Sequence, residues 1–318
     1  MNKMSKKIAF LFPGQGAQAV GMGKDLYDNY DIAKSVYETA DEVLGKSITS
    51  LCFEGPEDAL KQTVNTQPCI VTTSIAALEA LKSQLDIEPD YVAGHSLGEY
   101  CAMYTAGVMS LETTIKAIQK RADLMGQTKG GAMAAVLNAT EEVLKAGLVE
   151  GSKVGYVDVA NYNSPAQVVI TGDENAVKAA GDYILANGAR RVVPLAVSGA
   201  FHSKFMEKAG EEFAKFVKGF EINNATVPVI TNVDAKETTL AEDFRAKMPR
   251  QIYSSVHWTQ TIQKMVAEGV EIFVEIGPGK VLAGLNKKIA PEAKVFNVFD
   301  KESLENTISS LKEELALV

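Results

Sequence analysis

A GxSxG pentapeptide spans residues 94–98 and places a serine, Ser96, where it could act as a nucleophile. A short apolar run at 91–93 precedes it, and a helix of small residues reaching about Ala106 follows. Glycines at both ends permit a sharp turn between strand and helix, and the next N–H group would then lie at a helix N-terminus, which suits an oxyanion. This context favours a serine nucleophile over a chance match in a turn.

A serine hydroxyl needs a base to become a good nucleophile, and the chain has three histidines. His95 adjoins Ser96, so the two side chains should diverge. His257 begins a helix-like segment and is interpreted as a packed or capping histidine. His202 is therefore the best base by elimination, and the alternative is a structural histidine with satisfied hydrogen bonds.

A glycine-rich loop covers residues 13–19, after the first apolar run. Its Gly-x-Gly-x-x-Ala spacing formally matches the dinucleotide-binding fingerprint, but that site needs a second strand ending in an acid, and residues 31–44 are predicted to be helical. A phosphate-binding loop is disfavoured because Met22 and Gly23 stand where lysine and serine or threonine are required. The remaining interpretation is a loop whose backbone N–H groups approach a reacting oxygen closely.

One arginine, Arg121, is predicted to turn inward from a helix that Ser110 caps and that runs to about Gln127. The apolar stripe of this helix consists of Leu111, Ile115, Ile118, Ala122 and Met125. Arg121 lies on the flank of that stripe, and an inward arginine usually has an anionic partner. That partner is either a carboxylate of the protein or the carboxylate of a substrate held by the guanidinium, and both remain open.

These residues must be held by elements that alternate between short strands and longer helices. Strands are predicted at 8–12, 91–93, 227–230 and 272–276, and helices at 24–44, 68–84, 110–127 and 259–268. Such alternation predicts an α/β fold with a mostly parallel sheet and helices on both faces.

The middle of the chain has a different pattern, which begins after the break at Gly130-Gly131. We predict strand 132–137, helix 140–148, strand 154–161, strand 166–171, helix 173–187 and strand 190–195, the β-α-β-β-α-β order of a ferredoxin-like unit. Residues 129–197 are therefore predicted to be a small inserted subdomain. Residues 1–128 and 198–318 would form the large catalytic domain.

Composition excludes several classes of protein. The chain has 318 residues and a net charge of −8, which argues against nucleic acid as the main partner. Its three cysteines form no CxxC pair, so a disulfide framework or a metal site is not expected, and a reducing cytoplasm fits. No stretch approaches the roughly 20 apolar residues of a membrane span. Nothing indicates an obligate oligomer, so a monomer is expected.

Seen together, the motifs resemble the malonyl-CoA:acyl carrier protein transacylase family and the related acyltransferase domains of polyketide and fatty acid synthases. The resemblance covers essentially the whole chain. Small departures are Ala17, where serine is common, and Gly199, where synthase domains often have histidine. The matching motifs are Phe12-Pro13-Gly14-Gln15-Gly16-Ala17-Gln18, Gly94-His95-Ser96-Leu97-Gly98-Glu99, Arg121, Asn161-x-Asn163-Ser164-Pro165, Gly199-Ala200-Phe201-His202, Gln251 and Glu275-Ile276-Gly277-Pro278-Gly279.

This resemblance implies an α/β-hydrolase-like core with a ferredoxin-like subdomain, and it assigns roles. Ser96 would be the nucleophile, His202 its base, and Arg121 the partner of the malonyl carboxylate. The N–H groups of Gln15 and Leu97 would form an oxyanion hole, and the backbone carbonyl of Gln251 would orient the histidine. Asn161 and Asn163 would lie at the mouth of the site. Leu97 and Phe201 are typical of malonyl-selective members.

The implied reaction moves malonyl from coenzyme A to the phosphopantetheine thiol of an acyl carrier protein, with no bound cofactor. Two other functions stay open: a serine esterase or thioesterase with the same elbow, and an inactive module that only docks a carrier protein. The choice between a fatty acid and a polyketide pathway also stays open.

Overall fold

The computed structural model describes residues 6–197 and 199–316. The strands are β1 (Lys7–Phe12), β2 (Tyr91–Gly94), β3 (Ala132–Leu137), β4 (Val157–Ser164), β5 (Gln167–Gly172), β6 (Arg191–Pro194), β7 (Val229–Ile230), β8 (Glu237–Thr238), β9 (Val270–Ile276) and β10 (Lys294–Val298). The helices are α1 (Lys24–Asn29), α2 (Asp31–Leu44), α3 (Ile48–Glu54), α4 (Glu57–Leu60), α5 (Thr63–Gln84), α6 (Glu99–Thr105), α7 (Leu111–Gln127), α8 (Glu141–Ser152), α9 (Glu174–Ala186), α10 (Glu207–Val217), α11 (Ala241–Gln251), α12 (Trp258–Ala267), α13 (Val281–Ile289) and α14 (Lys301–Leu315).

The larger sheet has the strand order β10-β9-β1-β2-β7-β8 over the described residues. All neighbouring pairs are parallel except β7 with β8, which confirms the predicted mostly parallel sheet. In β1, Ile8, Phe10 and Phe12 pack on one face, and Ala9 and Leu11 pack on the other. A strand buried on both faces is typical of such sheets and explains why β1 is apolar almost throughout.

Adjacent strands of this sheet end at one edge, and the loops that follow them meet there. The glycine-rich loop follows β1, the GxSxG turn follows β2, and Asn232 lies just beyond β7. In parallel α/β sheets this edge is where ligands bind, between loops whose strands diverge.

The smaller sheet, in the order β4-β5-β3-β6, is antiparallel, and the cluster of apolar side chains between it and helices α8 and α9 forms its own core. Its elements follow one another in the predicted β-α-β-β-α-β order. Gly130 and Gly199 pair in an isolated bridge, so the chain leaves and rejoins the larger part at one place. This supports residues 129–197 as an inserted subdomain, which stays a prediction; position 198, where the large domain would resume, lies outside the described residues.

Backbone bonds tie the smaller sheet to the segment after α11. Val256 donates its N–H to the Ala160 carbonyl at 2.8 Å and accepts from the Tyr162 N–H at 2.9 Å. The Ser255 hydroxyl donates to the Val159 carbonyl at 2.6 Å. Strand β4 is therefore fixed directly to this segment.

Several predicted elements differ from the observed ones. The helix predicted at 140–148 continues to Ser152, and the strand predicted at 154–161 lies at Val157–Ser164. The helix predicted at 24–44 is interrupted at Tyr30, which has an extended backbone. The helix predicted at 68–84 begins earlier, at Thr63, and contains Pro68. A proline cannot donate to the carbonyl four residues before it, here that of Val64, and this carbonyl instead accepts from the Gln119 side chain at 3.2 Å.

Among the described residues, no helix combines the length and the apolar character that crossing a bilayer requires.

Candidate active site

Ser96 stands at the sharp turn between β2 and α6, with a backbone φ of 51°. The flanking glycines are required by packing as well as by the turn. A Cβ atom on Gly94 would lie 1.9 Å from the Gly98 carbonyl carbon, and one on Gly98 would lie 2.3 Å from the Phe12 carbonyl oxygen. Because these neighbours are backbone atoms, neither position has room for a side chain, and the turn holds the serine above the end of β2.

His202 approaches Ser96 from the loop before α10, with its Nε2 atom 2.8 Å from the serine Oγ. Its Nδ1 atom lies 3.1 Å from the carbonyl oxygens of Gln251 and Ser254. Since two acceptors face Nδ1, that nitrogen carries the proton, and Nε2 is free to accept the serine proton. Elimination and resemblance both pointed to His202, and the structure places it in contact with Ser96.

Burial keeps this imidazole uncharged. It lowers the pKa of His202 to about 3, and the nearby Arg121 and His95 act in the same direction. A neutral imidazole at ordinary pH is the form that can take a proton from Ser96.

Arg121 is fully buried on α7, whose cap at Ser110 and end at Gln127 are as predicted. Its Nη1 donates to Gln67 Oε1 at 2.7 Å, and its Nη2 donates to Gln251 Oε1 at 3.0 Å and to Ser96 Oγ at 3.1 Å. Its partners here are thus neutral oxygens, and within the described residues Arg121 makes no ion pair with a carboxylate.

No carboxylate of the described residues hydrogen-bonds to Arg121, and Glu99 acts on its charge only through space, so the first alternative, a protein carboxylate paired with the guanidinium, is not observed. Neutral amide oxygens hold the guanidinium in place, and a cation so placed can bind an incoming anion at the serine. This geometry favours the other alternative, a substrate carboxylate.

Gln251 connects the three groups. Its backbone carbonyl accepts from His202, its side-chain oxygen accepts from Arg121, and its side-chain nitrogen donates to the Ser96 carbonyl at 2.8 Å. One residue at the end of α11 thereby fixes base, cation and nucleophile relative to one another.

The glycine-rich loop packs against the turn that carries Ser96. A Cβ atom on Gly14 would lie 2.8 Å from the His95 carbonyl oxygen, so the loop can come this close only with glycine there. Gln15, from this loop, and Leu97 line the same cavity of about 120 Å³ as Ser96, His202 and Arg121. The loop and the residue after the nucleophile thus border the space where a thioester carbonyl would react.

The other candidates take separate places. Asn161 and Phe201 line this cavity, whereas the Asn163 side chain contacts His95 Nε2 at 2.8 Å. His257 caps α12 without a side-chain hydrogen bond to its backbone and stacks on the Tyr162 ring, with centroids 5.2 Å apart. It is a packed histidine, as the sequence indicated.

Sequence reasoning missed three residues that support the site, namely Gln67, Asn232 and Ser254. Gln67 is a buried polar residue within an apolar helix, and Asn232 follows a strand at the edge where the loops meet. Both positions could have been noticed as polar side chains in apolar surroundings. Ser254 contributes only a backbone carbonyl, for which the sequence carries no signal.

The three cysteines are buried and unpaired, and the described ranges contain no group of three or more His, Cys, Asp or Glu side chains placed to hold a metal ion.

Comparison with known proteins gives concordant results. Residues 9–299 match the acyl transferase domain family. The chain is 45% identical over 312 residues to the malonyl CoA-acyl carrier protein transacylase of Bacillus subtilis, covering 97% of this chain and 98% of that one. The crystal structure of an acyl carrier protein S-malonyltransferase from Vibrio cholerae superposes with a TM-score of 0.91 at 40% identity, covering 95% and 99% of the two chains.

A further solved structure is described as a type II PKS acyl-carrier protein in complex with its malonyl-transacylase. It matches with a TM-score of 0.93 at 36% identity, covering 96% of this chain and 99% of that chain. These similarities extend over nearly the whole length of each protein.

Proposed function

Because the chain belongs to the acyl transferase domain family, as its motifs predicted, we propose that it transfers malonyl from coenzyme A to the phosphopantetheine thiol of an acyl carrier protein through a malonyl ester of Ser96. The observation that carries this proposal is the contact of one hydroxyl, Ser96 Oγ, with both a neutral base and a buried cation. A serine hydrolase needs only the contact with the base, whereas an enzyme that transfers an acyl group with a free carboxylate also needs the cation.

In the first half-reaction, His202 Nε2 takes the Ser96 proton while Oγ forms a bond to the thioester carbonyl carbon. The carbonyl π electrons move to its oxygen, which lies near the N–H groups of Gln15 and Leu97. Such donors contribute about 3 kcal/mol each in comparable sites. When the carbonyl re-forms, the C–S bond breaks, and His202 gives its proton to the coenzyme A thiolate.

The second half-reaction reverses these steps with another thiol. The carrier thiol gives its proton to His202, its sulfur attacks the seryl ester, and the collapse returns the proton to Ser96 Oγ. The enzyme is then regenerated and the malonyl group is bound to the carrier.

Arg121 would bind the malonyl carboxylate and hold the acyl group at Ser96. Its fork can offer two N–H groups to one carboxylate, which orients as well as attracts. Asn161, Leu97 and Phe201 line the cavity, which supports the roles that the resemblance implied for them. Asn163 contacts His95 instead, and its place at the mouth of the site stays a prediction.

The test is an intact-mass measurement after mixing the protein with malonyl-CoA without carrier. We expect a stoichiometric malonyl adduct that is absent from Ser96→Ala, present in the surface control Ser309→Ala, and discharged onto added holo-carrier. Free malonate without an adduct would instead indicate the hydrolase. If neither adduct nor turnover occurs with malonyl-, acetyl- or methylmalonyl-CoA, the inactive docking module is the better description.

The similarity to transacylases supports coenzyme A thioesters and a carrier protein as the substrates. The expectation that no cofactor is bound stays a prediction. A monomer in the cytoplasm stays a prediction, to be checked by light scattering and by fractionation of cells.

A further inference from the structure

The turn that carries Ser96 is bridged by a side chain distant in sequence, that of Asn232. Asn232 Oδ1 accepts from the Ser96 backbone N–H at 2.7 Å, and its Nδ2 donates to the Gly94 carbonyl at 2.7 Å. Asn232 is fully buried, so water cannot replace either bond. The oxygen and the nitrogen of this one amide thus bond to the backbone of Ser96 and of Gly94, the last residue of β2.

A second buried residue holds Asn232 itself. Glu99 Oε2 accepts from the Asn232 backbone N–H at 2.5 Å, and Glu99 is 1% exposed. Glu99 belongs to α6, three residues after the nucleophile, whereas Asn232 follows β7. The charged groups that act on Glu99 from other elements are Arg121, Lys247 and Asp234.

The backbone of Ser96 needs such support. A φ of 51° is unusual for a residue with a side chain, and conformations of this kind persist at functional sites where the surroundings determine them. The bond to Asn232 also occupies the Ser96 N–H, which leaves the N–H groups of Gln15 and Leu97 for the oxyanion.

We propose that Asn232 and Glu99 are positioning residues for the nucleophile: Asn232 holds Ser96 in its turn conformation, and Glu99 acts through Asn232. This inference rests on the proposed acyl transfer, but it concerns only how Ser96 is held. Neither residue needs to touch the substrate.

The test measures the rate constant of malonyl-enzyme formation by rapid quench and mass spectrometry. Asn232→Ala is expected to lower it on the order of 100-fold, since a small misplacement of a reacting group has an effect of that size. The dissociation constant of malonyl-CoA, compared between Ser96→Ala and Ser96→Ala with Asn232→Ala, should stay within about twofold, because Arg121 keeps its contacts with Gln67 and Gln251 in both proteins. Asn286→Ala, which removes a buried asparagine from α13, serves as the matched control and should leave the rate constant unchanged.

The link from Glu99 through Asn232 has its own test. Glu99→Ala should lower the rate constant at least about tenfold, while Glu99→Gln, which keeps an acceptor oxygen, should restore it to within about threefold. The double variant should be no slower than Asn232→Ala alone, because residues that act as one unit are not additive.

Three results would overturn the proposal. The first is a double variant whose loss of rate equals the product of the losses in the two single variants. The second is a dissociation constant of malonyl-CoA that rises as much as the rate constant of malonyl-enzyme formation falls. The third is an unchanged rate constant in Asn232→Ala. If the alanine variants do not fold, Asn232→Asp replaces them, since it keeps the oxygen facing Ser96 and loses the donor to Gly94. A wild-type rate in that variant would also overturn the proposal, whereas a wild-type protein that forms no adduct would refute the acyl transfer itself.

Discussion

At the scale of single residues, the site depends on how one hydroxyl group is shared. Ser96 Oγ contacts an imidazole that burial keeps neutral and a guanidinium that has no carboxylate among its hydrogen-bonding partners. The cation favours negative charge at the serine and disfavours a second positive charge on the histidine. Arg121 can therefore keep the resting imidazole of His202 neutral and also bind an anionic acyl group.

The low pKa of His202 predicts the pH dependence of acylation. A histidine whose pKa is lowered to about 3 stays neutral as the pH falls through 6.5, so it remains a base there. The rate constant of malonyl-enzyme formation should be level between pH 8 and pH 5, measured by rapid quench. A tenfold fall per pH unit that starts near 6.5 would contradict this expectation.

Arg121 should distinguish acyl groups by their charge. Arg121→Ala is expected to lower kcat/KM for malonyl-CoA by about 100-fold or more, because losing one partner of a buried charge pair costs about 2–5 kcal/mol. Acetyl-CoA has no carboxylate, and its transfer should fall far less. The exposed Lys116→Ala on the same helix is the control, and equal losses for both thioesters would refute the carboxylate contact.

At the scale of elements, the site is assembled where parallel strands end together. The loops after β1, β2 and β7 supply Gln15, Ser96 and Asn232, and helices α5, α7 and α11 supply the side chains around Arg121. Such assembly depends on the strand order, since each loop reaches the site only through its neighbours in the sheet.

The turn between β2 and α6 should tolerate no side chain at its first glycine. Gly94→Ala would place a Cβ atom 1.9 Å from the Gly98 backbone, so the strand and helix must separate. We expect lost acylation and a lower Tm. Gly284→Ala on α13, whose added Cβ would meet no atom within 4 Å, should keep activity and gain up to about 1 kcal/mol. Similar Tm changes in both variants would contradict this account.

The sequence predicted elements and motifs better than it predicted contacts between them. The helix of Arg121 could be predicted from its cap and its apolar spacing, because both are local. The elements that were not predicted are strands β8 and β10 and helices α3, α4, α10, α11, α13 and α14. Strand β10 is short and only partly buried, so its apolar signal is weak. The partners Gln67 and Gln251 lie 54 and 130 positions from Arg121, and only the order of strands and helices brings them together. No local pattern contains that information.

At the scale of the whole molecule, buried carboxylates make stability depend on pH. Burial raises the pKa of Glu99 to about 7. Burial likewise raises the pKa of Glu275 to about 7, although this carboxyl accepts from the N–H groups of Leu282 and Ala283 at the start of α13. A carboxyl group with a raised folded-state pKa contributes stability below its unfolded pKa, and this contribution is lost as the pH rises through the folded value.

Glu99→Gln should therefore change the slope of stability against pH. Between pH 4.5 and pH 7 the wild type should lose about 3 kcal/mol relative to the variant, since glutamine does not ionise. Urea unfolding of both proteins at pH 5 and pH 8 would measure this difference. Two parallel curves would show that Glu99 keeps an ordinary pKa in the folded protein.

The bonds between β4 and the segment at 254–256 have a consequence for how relatives of this protein can exchange parts. The carbonyls that orient His202 belong to Gln251 and Ser254, and Val256 is paired with β4 only two residues later. A chimera that received residues 131–197 from another member would have different side chains lining the cavity. It would also have a different β4 strand pairing with the segment whose carbonyls orient His202. Recombination at this joint would thus alter acyl-group selectivity and base alignment together, and a graft made for selectivity alone would need the host's residues 254–256 to be changed with it.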